Sequence, residues 1–213
     1  MSAESTAARI EAERLMAILR LAPGVRVDRV VEELVGTGVR CIEFSLVMDS
    51  ALTDLSGAVG RYGDQVTFGA GTVLDVDQAK AALASGAEFL VSPALDSAVV
   101  EWAERHEILH IPGAFSPTEV TTAMSLGSRL IKVFPASGLG PGYLRELLAP
   151  LPGARLMPTG GVDLENAADF LAAGAAALGV AGALVGDAKP GEAAARGARF
   201  RNLIAATERE EQT

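Results

Sequence analysis

The sequence predicts an α/β fold, a (β/α)8 barrel in a single domain. Short β-prone runs alternate with longer helical patterns from one end of the 213 residues to the other. Four helix candidates end at a glycine that a strand follows within a few residues, at Gly38, Gly86, Gly127 and Gly174. Their spacing of 41 to 48 residues is about the length of two βα units, so that four such pairs predict eight strands.

The eight predicted strands lie near residues 16–19, 41–44, 67–71, 89–92, 108–111, 130–134, 156–158 and 177–180. The helices predicted between them include residues 27–35, 76–85, 97–105, 117–126 and 164–173. Helix starts are indicated where Ser116 precedes Pro117 and where Asp75 stands three residues before Gln78. Strands that alternate with helices indicate parallel pairing through right-handed crossovers. An open doubly wound sheet is the alternative that this pattern also permits.

Residues 1–213 are expected to form this one domain, with flanking helices over 3–14 and 192–209. Hydrophobic residues make up 49% and charged residues 21%, which is typical of a globular protein. No apolar run approaches the roughly 18 residues that a transmembrane helix needs. The first residues are partly acidic and lack the apolar segment of a secretory signal.

Charge and cysteine content restrict the partners and the compartment. The net charge of −9 argues against nucleic acid or an anionic membrane as a partner. An anionic small molecule would need a locally positive pocket. The single cysteine, Cys41, rules out an intrachain disulfide and is typical of the reducing cytoplasm.

Lys132 interrupts the predicted strand over 130–134. On a two-residue period, Ile131 and Val133 face one side of that strand and Lys132 faces the other. In a barrel the first side packs against helices and the second points inward, where desolvation lowers the pKa of an amine. A deprotonated amine is what attack on a ketone requires. The alternative is a lysine whose ammonium group reaches solvent at a sheet edge.

Glu43 shows the same pattern near the end of the second strand. Ile42 and Phe44 would face helices, which leaves Glu43 pointing inward near the carboxyl end of its strand, where barrel active sites are built. A carboxylate there could transfer protons as general acid and base. The alternative is a structural ion pair with Arg20 or Arg40. Arg20 ends the first strand and either holds a substrate carboxylate or is a solvated charge.

Two glycine-rich turns follow predicted strands, GAGT at 69–72 and PTGG at 158–161. Free backbone amides ahead of a helix can bind carboxylate or phosphate oxygens, although such glycines also serve turns that bind nothing. His106 and His110 lack metal-ligand spacing, and no zinc-protease, Walker A, dinucleotide-binding or nucleophile-elbow motif occurs. The sequence therefore predicts neither a metal nor a cofactor.

Together these motifs resemble the 2-dehydro-3-deoxy-phosphogluconate aldolase family and its phosphogalactonate relatives. The matching segments cover nearly the whole chain in order: AILR at 17–20, IE at 42–43, GAGTV at 69–73, SP at 92–93, PG at 112–113, PTE at 117–119, IKVFPA at 131–136 and PTGGV at 158–162. The resemblance implies a (β/α)8 barrel, commonly a homotrimer. It also implies an activity that cleaves keto-deoxy sugar-acid phosphates into pyruvate and glyceraldehyde 3-phosphate.

The resemblance further implies a role for individual residues. Lys132 resembles the lysine that forms a Schiff base with the substrate, and Glu43 resembles the carboxylate that transfers protons. The residues that resemble substrate-binding positions are Arg20 and Thr72 for the pyruvyl carboxylate, Pro93 for the pocket wall, Phe134 beside the Schiff base, and Gly160, Gly161, Gly182 and Ala183 for the phosphate.

The chain departs from the family pattern at two places. Val47 stands where the family often has Arg or Asn, so that one polar contact is missing or is supplied by Arg20. Ala181-Gly182-Ala183 stands where the family usually has Gly-Gly-Ser, so that the hydroxyl that would hold a phosphate is absent. These departures affect which substrate the chain would accept more than they affect the reaction that it would catalyse.

We therefore expect a metal-independent class I aldolase that acts on 2-keto-3-deoxy-6-phospho sugar acids or on 4-hydroxy-2-oxoglutarate. A phosphate-binding barrel acting as an epimerase or decarboxylase would use similar strand-end residues without a covalent intermediate. An inactive barrel would only bind a metabolite or support an oligomer, and the joint presence of Lys132, Glu43 and Thr72 argues against it.

Overall fold

The computed structural model describes residues 2–211, in which helices and strands alternate. The helices span Ala3–Glu13 (α1), Val27–Gly36 (α2), Ala51–Tyr62 (α3), Val76–Ala84 (α4), Ser97–Arg105 (α5), Pro117–Ser125 (α6), Gly140–Leu148 (α7), Ala167–Ala172 (α8), Gly182–Val185 (α9) and Glu192–Glu211 (α10). The strands span Leu15–Leu19 (β1), Cys41–Ser45 (β2), Thr67–Gly71 (β3), Phe89–Val91 (β4), Leu109–Ile111 (β5), Gly113–Ala114 (β6), Ile131–Val133 (β7), Leu156–Pro158 (β8) and Leu178–Val180 (β9). Residues 1, 212 and 213 of the predicted domain lie outside the described range.

All the strand pairs described are parallel, which confirms the predicted α/β class. One sheet has the order β5-β4-β3-β2-β1-β9, and a second has the order β6-β7-β8. Only Pro112 separates β5 from β6; it has no N–H for a ladder, but its carbonyl accepts from the Lys132 amide at 2.9 Å. At the far side, Thr159 forms a parallel bridge with Gly179 of β9. The two sheets therefore adjoin at both edges.

Side chains on the two faces of the strands form two separate apolar clusters. The outer cluster joins Ile42, Phe44, Ile131 and Val133 to the helices that follow the strands. The inner cluster contains Met16, Cys41, Phe89, Val91, Leu109, Ile111, Leu130, Met157 and Ala177. Because successive strand residues point to opposite faces, Glu43 and Lys132 lie on the inner face, as the alternation predicts.

Helix α1 covers the amino ends of the strands. Its residues Ala3, Ala7 and Ile10 pack into the inner cluster. Its charged residues form the ion pairs Arg9–Glu88, Glu4–Arg129 and Glu11–Arg155 with residues that stand just before β4, β7 and β8. A fourth ion pair joins Glu13 to Arg201 of α10. One end of the inner face is thus closed by packing and ion pairs, which leaves the carboxyl ends of the strands for binding and chemistry.

Local signals in the sequence match the structure at most positions. Ser116 and Glu119 form a capping box at α6, and Asp75 accepts from the Gln78 amide at 2.8 Å. Helix α8 begins at Ala167 instead of 164, because Asp163 and Asn166 accept from each other's backbone amides in a preceding turn. Within the described part of the chain, no helix combines the length and apolar character that crossing a bilayer takes.

Three helices, α3, α7 and the short α9, were not predicted individually. Helix α3 contains Gly57 and Gly60, which weaken a helical pattern, and α7 begins with Gly140-Pro141-Gly142, which is typical of a turn. Their apolar residues Leu55 and Leu144 are buried in the outer cluster, so packing on the sheet stabilises helices that propensity alone does not indicate.

Candidate active site

Glu43 lies on the inner face of β2 and is only 1% exposed. The neighbouring strand gives it room at Gly71, where a Cβ would overlap the Glu43 carboxyl group. A glycine inside a strand often marks such a close approach. The absence of a side chain at Gly71 is thus what lets the carboxyl group occupy this position.

Lys132 lies in the middle of β7 and is only 4% exposed, so its ammonium group does not extend into solvent. Its Nζ lies 4.8 Å from the centroid of the Phe134 ring, within the range of a cation–π contact. In register with Lys132 stands Gly113, where a Cβ would overlap the backbone of Pro93. Phe134 and Pro93, both half-buried, therefore lie in the neighbourhood of Lys132.

Burial and charge act in opposite directions on the two groups. Burial raises the pKa of the Glu43 carboxyl, while the positive charges of Lys132 and Arg20 partly offset this. Burial also lowers the pKa of the Lys132 amine; the Glu43 charge opposes this and the Arg20 charge adds to it. Both net shifts favour the uncharged forms. Glu43 Oε2 is also buried without a hydrogen-bond partner in the part of the chain that the structure describes.

Arg20 follows β1 and is exposed, and its charge acts on Glu43 and Lys132 alike. Arg40 is engaged elsewhere, because its Nη1 donates to the carbonyls of Val35 and Val39 at 2.8 and 3.1 Å. Of the two arginines that the sequence offers to Glu43, Arg20 is therefore the one that acts on it.

Thr72 directly follows β3 with a φ of +62°, a left-handed conformation that costs a non-glycine residue about 1–3 kcal/mol. Its hydroxyl lies 2.8 Å from that of Ser45, at the end of β2. Ser45 is fully buried and was not among the predicted site residues. The available signal was its position two residues after Glu43, which puts both side chains on the inner face.

A second pair of polar side chains lies next to this turn. Ser92 Oγ donates to the Val73 carbonyl at 2.6 Å and lies 2.8 Å from His110 Nε2. Since the carbonyl can only accept, the single Ser92 proton goes there and His110 Nε2–H must be the donor to Ser92. Burial lowers the pKa of His110 to about 4, so the ring is neutral near pH 7. Nothing in the spacing of the two residues predicts this contact.

The residues predicted to bind phosphate line one cavity of about 150 Å³ at the ends of β8 and β9. Gly160, Gly161, Gly182 and Ala183 all belong to it. A Cβ on Gly160 would lie 3.4 Å from the Phe134 ring, which connects this distal cavity to the surroundings of Lys132. Asp163 also lines the cavity, and none of its described lining residues is cationic. Among residues 2–211, no three His, Cys, Asp or Glu side chains are grouped as a metal site would require.

The position of Val47 is exposed and apolar. Val47 is 56% exposed and lines a cavity of about 300 Å³ with Leu21 and Met48, between the loops that follow β1 and β2. Leu21 directly follows Arg20 in the chain. The polar side chain that the family often has at this position is absent.

Comparison with known proteins identifies the fold and the family. A sequence model of the KDPG and KHG aldolase family matches residues 6–195. The chain belongs to this family. It is therefore an aldolase, a lyase that breaks a carbon–carbon bond, and the resemblance found in its sequence motifs is confirmed.

Individual members of the family are similar over most of their length. A 2-dehydro-3-deoxy-phosphogluconate aldolase of Treponema pallidum is 37% identical over 164 residues, 72% of this chain and 76% of the relative. A 2-dehydro-3-deoxy-6-phosphogalactonate aldolase of Escherichia coli is 34% identical over 170 residues, 78% and 82% of the two chains. A solved 4-hydroxy-2-oxoglutarate/2-dehydro-3-deoxyphosphogluconate aldolase from TTHB1 superposes with a TM-score of 0.85 at 30% identity, covering 93% of this chain and 98% of that one.

The opposing influences on Lys132 predict opposite pKa changes in two variants. In Glu43→Gln the loss of the negative charge lowers the Lys132 pKa further below 10.5, because that charge favours the ammonium form. In Arg20→Gln the loss of the positive charge raises it. Carbon-13 NMR titration of the labelled lysine side chains measures both effects, since the aldolase has only three lysines.

Lys189 is the internal control for this titration. It is exposed and pairs with Asp187 at 3.0 Å, which raises its pKa, and neither variant should move it. A Lys132 that titrates above 10.5, or that moves in the same direction in both variants, would contradict the electrostatic account.

Proposed function

We propose that this aldolase cleaves 2-keto-3-deoxy sugar acids between C3 and C4 and releases pyruvate through a Schiff base on Lys132. The observation that carries the proposal is a buried amine of lowered pKa that interacts with a buried carboxyl group, one oxygen of which has no partner among the described residues. A neutral amine can attack a ketone carbon, and a carboxyl group of raised pKa can both accept and return a proton. The names of the relatives support this substrate class.

The reaction begins when the neutral Nζ of Lys132 attacks C2 of the keto acid. Glu43 in its protonated form donates a proton to the hydroxyl of the resulting carbinolamine, which leaves as water. The protonated imine that remains draws electrons from the C3–C4 bond. Glu43 removes the proton of the C4 hydroxyl as that bond breaks, so C4 leaves as an aldehyde and C2–C3 becomes an enamine. The proton on Glu43 is then delivered to C3. Water hydrolyses the protonated imine to pyruvate and the free amine, and the proton released in this step returns to Glu43.

The substrate carboxylate is held at Thr72 and Arg20 in this proposal. Thr72 presents its hydroxyl beside Ser45, and Arg20 supplies the positive charge that a net acidic protein must provide locally. Pro93 forms the pocket wall and Phe134 packs beside the Schiff base, since both lie near Lys132. An epimerase or decarboxylase at the same site would need no covalent bond to a keto acid.

We also infer that the two sheets close into one (β/α)8 barrel in a single domain. The Pro112 carbonyl links β5 and β6 to β7, and the bridge between Thr159 and Gly179 links β8 to β9. With β5 and β6 counted as one interrupted strand, the parallel order then runs through eight strands and returns to β1. The packing of α1 across the amino ends supports the same closure.

Trapping with pyruvate and borohydride tests the Schiff base directly. Reduction should leave one irreversible adduct per chain, on Lys132, located by peptide mass spectrometry. Lys132→Met should abolish the adduct and the cleavage of a keto-deoxy acid, while the fold persists because an apolar side chain removes the desolvation of a buried amine. The adduct should also form after exhaustive treatment with a chelator.

Lys80→Met and Lys189→Met are the matched controls, since both lysines are exposed and pair with Asp77 and Asp187. Both variants should keep the adduct and the turnover of the wild type. Cleavage without any adduct would exclude the covalent intermediate from the mechanism, and an adduct on Lys80 or Lys189 would remove Lys132 from it.

The distal cavity accepts the far end of the substrate in this proposal. The amides of Gly160, Gly161, Gly182 and Ala183 are the donors available to a phosphate there. Ala183 has no hydroxyl, and Asp163 contributes the only charge among the lining residues that the structure describes. Phosphate binding is therefore weakened but retained, and the substrate range extends toward unphosphorylated acids such as 4-hydroxy-2-oxoglutarate.

Ala183→Ser should increase the preference for phosphorylated over unphosphorylated keto-deoxy acids. One restored hydrogen bond to a charged oxygen is worth about 1.5–3 kcal/mol, or roughly tenfold to a hundredfold, mainly in KM. Ala172→Ser, on an exposed position of α8, makes the same chemical change as a control and should have no effect. The proposal for this cavity is wrong if the wild type already prefers the phosphorylated acid several thousandfold, or if Ala183→Ser changes nothing.

We further propose that the aldolase assembles as a homotrimer. Three of the large apolar side chains that are exposed, Val47, Leu74 and Phe115, lie in loops after β2, β3 and β6 at the same end of the fold. Contact between subunits would remove such surface from water. Analytical ultracentrifugation at micromolar concentration should give three times the chain mass of 21.9 kDa. A monomer under those conditions would overturn the proposal.

A further inference from the structure

The strained turn at Thr72 is fixed by hydrogen bonds to the residue that follows it. The Val73 amide donates to the Val91 carbonyl at 3.0 Å. The Val73 carbonyl accepts from Ser92 Oγ at 2.6 Å. Both backbone groups of Val73 are thus held by the end of β4. Since Thr72 directly precedes Val73, this attachment restricts the backbone of Thr72 and maintains its φ of +62°.

His110 in turn controls the Ser92 hydroxyl. Ser92 is held through its own amide, which donates to the Ile111 carbonyl at 3.1 Å, and its Oγ accepts from His110 Nε2–H at 2.8 Å. A hydroxyl can rotate among acceptors, so the donor on its other side selects the orientation in which its proton reaches Val73. His110 and Ser92 are both buried, at 5% and 2% exposure, so water does not compete freely.

His110 lies on the outer face of its strand, opposite the inner face that carries Lys132 and Glu43. Its neighbours Leu109 and Ile111 belong to the inner cluster, so alternation points the His110 ring toward the helices. Its Nδ1 is buried without a hydrogen-bond partner in the described residues. An apolar residue would avoid that unsatisfied acceptor, so packing alone does not account for a histidine here. The bond to Ser92 is the polar contact that distinguishes it from such a residue.

We propose that His110 is a positioning residue for this aldolase, acting through Ser92 and Val73 to hold Thr72 in the conformation that receives the substrate carboxylate. The inference rests on the proposed function, which assigns Thr72 to that carboxylate. It places the effect of His110 on the binding of keto acids, because His110 touches neither Lys132 nor the bond that is cleaved. It also predicts that the effect of His110 depends on the Thr72 hydroxyl.

The test measures the pyruvate concentration that gives half-maximal borohydride trapping, together with KM and kcat for cleavage. His110→Phe and Ser92→Ala should each raise the half-maximal concentration and KM by about three- to tenfold, the scale of one net hydrogen bond, with kcat changed less than about twofold. His110→Gln retains a donor and should restore most of the wild-type value. Ser92→Ala keeps the test available if His110→Phe does not fold.

The dependence on the Thr72 hydroxyl is tested by introducing the same substitutions into a Thr72→Val variant. Thr72→Val alone should raise the half-maximal pyruvate concentration. Adding His110→Phe or Ser92→Ala to Thr72→Val should raise that concentration by less than about a further twofold, because the effects of residues that act through one group are not additive. His106→Phe is the control histidine. His106 also bonds to a backbone carbonyl, that of Trp102 at 2.7 Å, but it ends α5 away from the site and should leave pyruvate binding unchanged.

The outcomes separate this inference from the proposed function. If Thr72→Val leaves the half-maximal pyruvate concentration unchanged, the carboxylate assignment fails and the role of His110 fails with it. If Thr72→Val weakens binding but His110→Phe has its full effect in both backgrounds, only the inference about His110 is wrong. That inference is equally wrong if His110→Phe weakens binding no more than His106→Phe does.

Discussion

The burial of two ionisable side chains on one face of a parallel sheet is the constraint on which the rest of the structure depends. Glu43 and Lys132 are 1% and 4% exposed, and removing charges from water costs several kcal/mol per ion in real proteins. The structure meets that cost partly by shifting both pKa values toward the uncharged forms and partly by the mutual attraction of the two groups. Apolar residues at positions 43 and 132 would make the folded state more stable. Keeping both ionisable groups therefore indicates that the inner face is organised for chemistry.

Space on the inner face comes from glycines that stand beside larger groups on neighbouring strands. A Cβ would overlap its neighbour at each of four strand positions, in the pairs Gly71 with Glu43, Gly113 with Pro93, Gly69 with Phe89 and Gly179 with Thr159. Glycine weakens a strand, because it adds chain entropy and contributes no packing. Packing at the amino ends of the strands offsets this loss of stability, because α1 closes those ends with apolar contacts and ion pairs. The strained Thr72 and the glycine-rich turns at 69–72 and 158–161 lie at the carboxyl ends, where substrate binds in the proposed mechanism.

The sequence predicts local features well and contacts across strands poorly. The strand positions, the helix starts at Asp75 and Ser116 and the inward direction of Lys132 depend on residues a few positions apart, so local patterns are enough to predict them. The bonds of Ser45 to Thr72 and of Ser92 to His110 join residues 27 and 18 positions apart. Such contacts depend on strand register and on a left-handed turn, which no single segment determines. Pro93, Gly182 and Ala183 were predicted only because their motifs resemble those of a family, whereas the turn at Gly160 and Gly161 was also indicated by its own glycines.

The chemistry and the choice of substrate depend on separate sets of residues. In the proposed mechanism the electrons move between C2 and C4 beside Lys132 and Glu43, whereas the distal cavity at Gly160 and Ala183 contacts atoms that do not react. Contacts that are equal in the ground state and the transition state change KM and leave kcat nearly constant. Substitutions in the turn after β9 can therefore alter the accepted sugar acid without disturbing the buried pair.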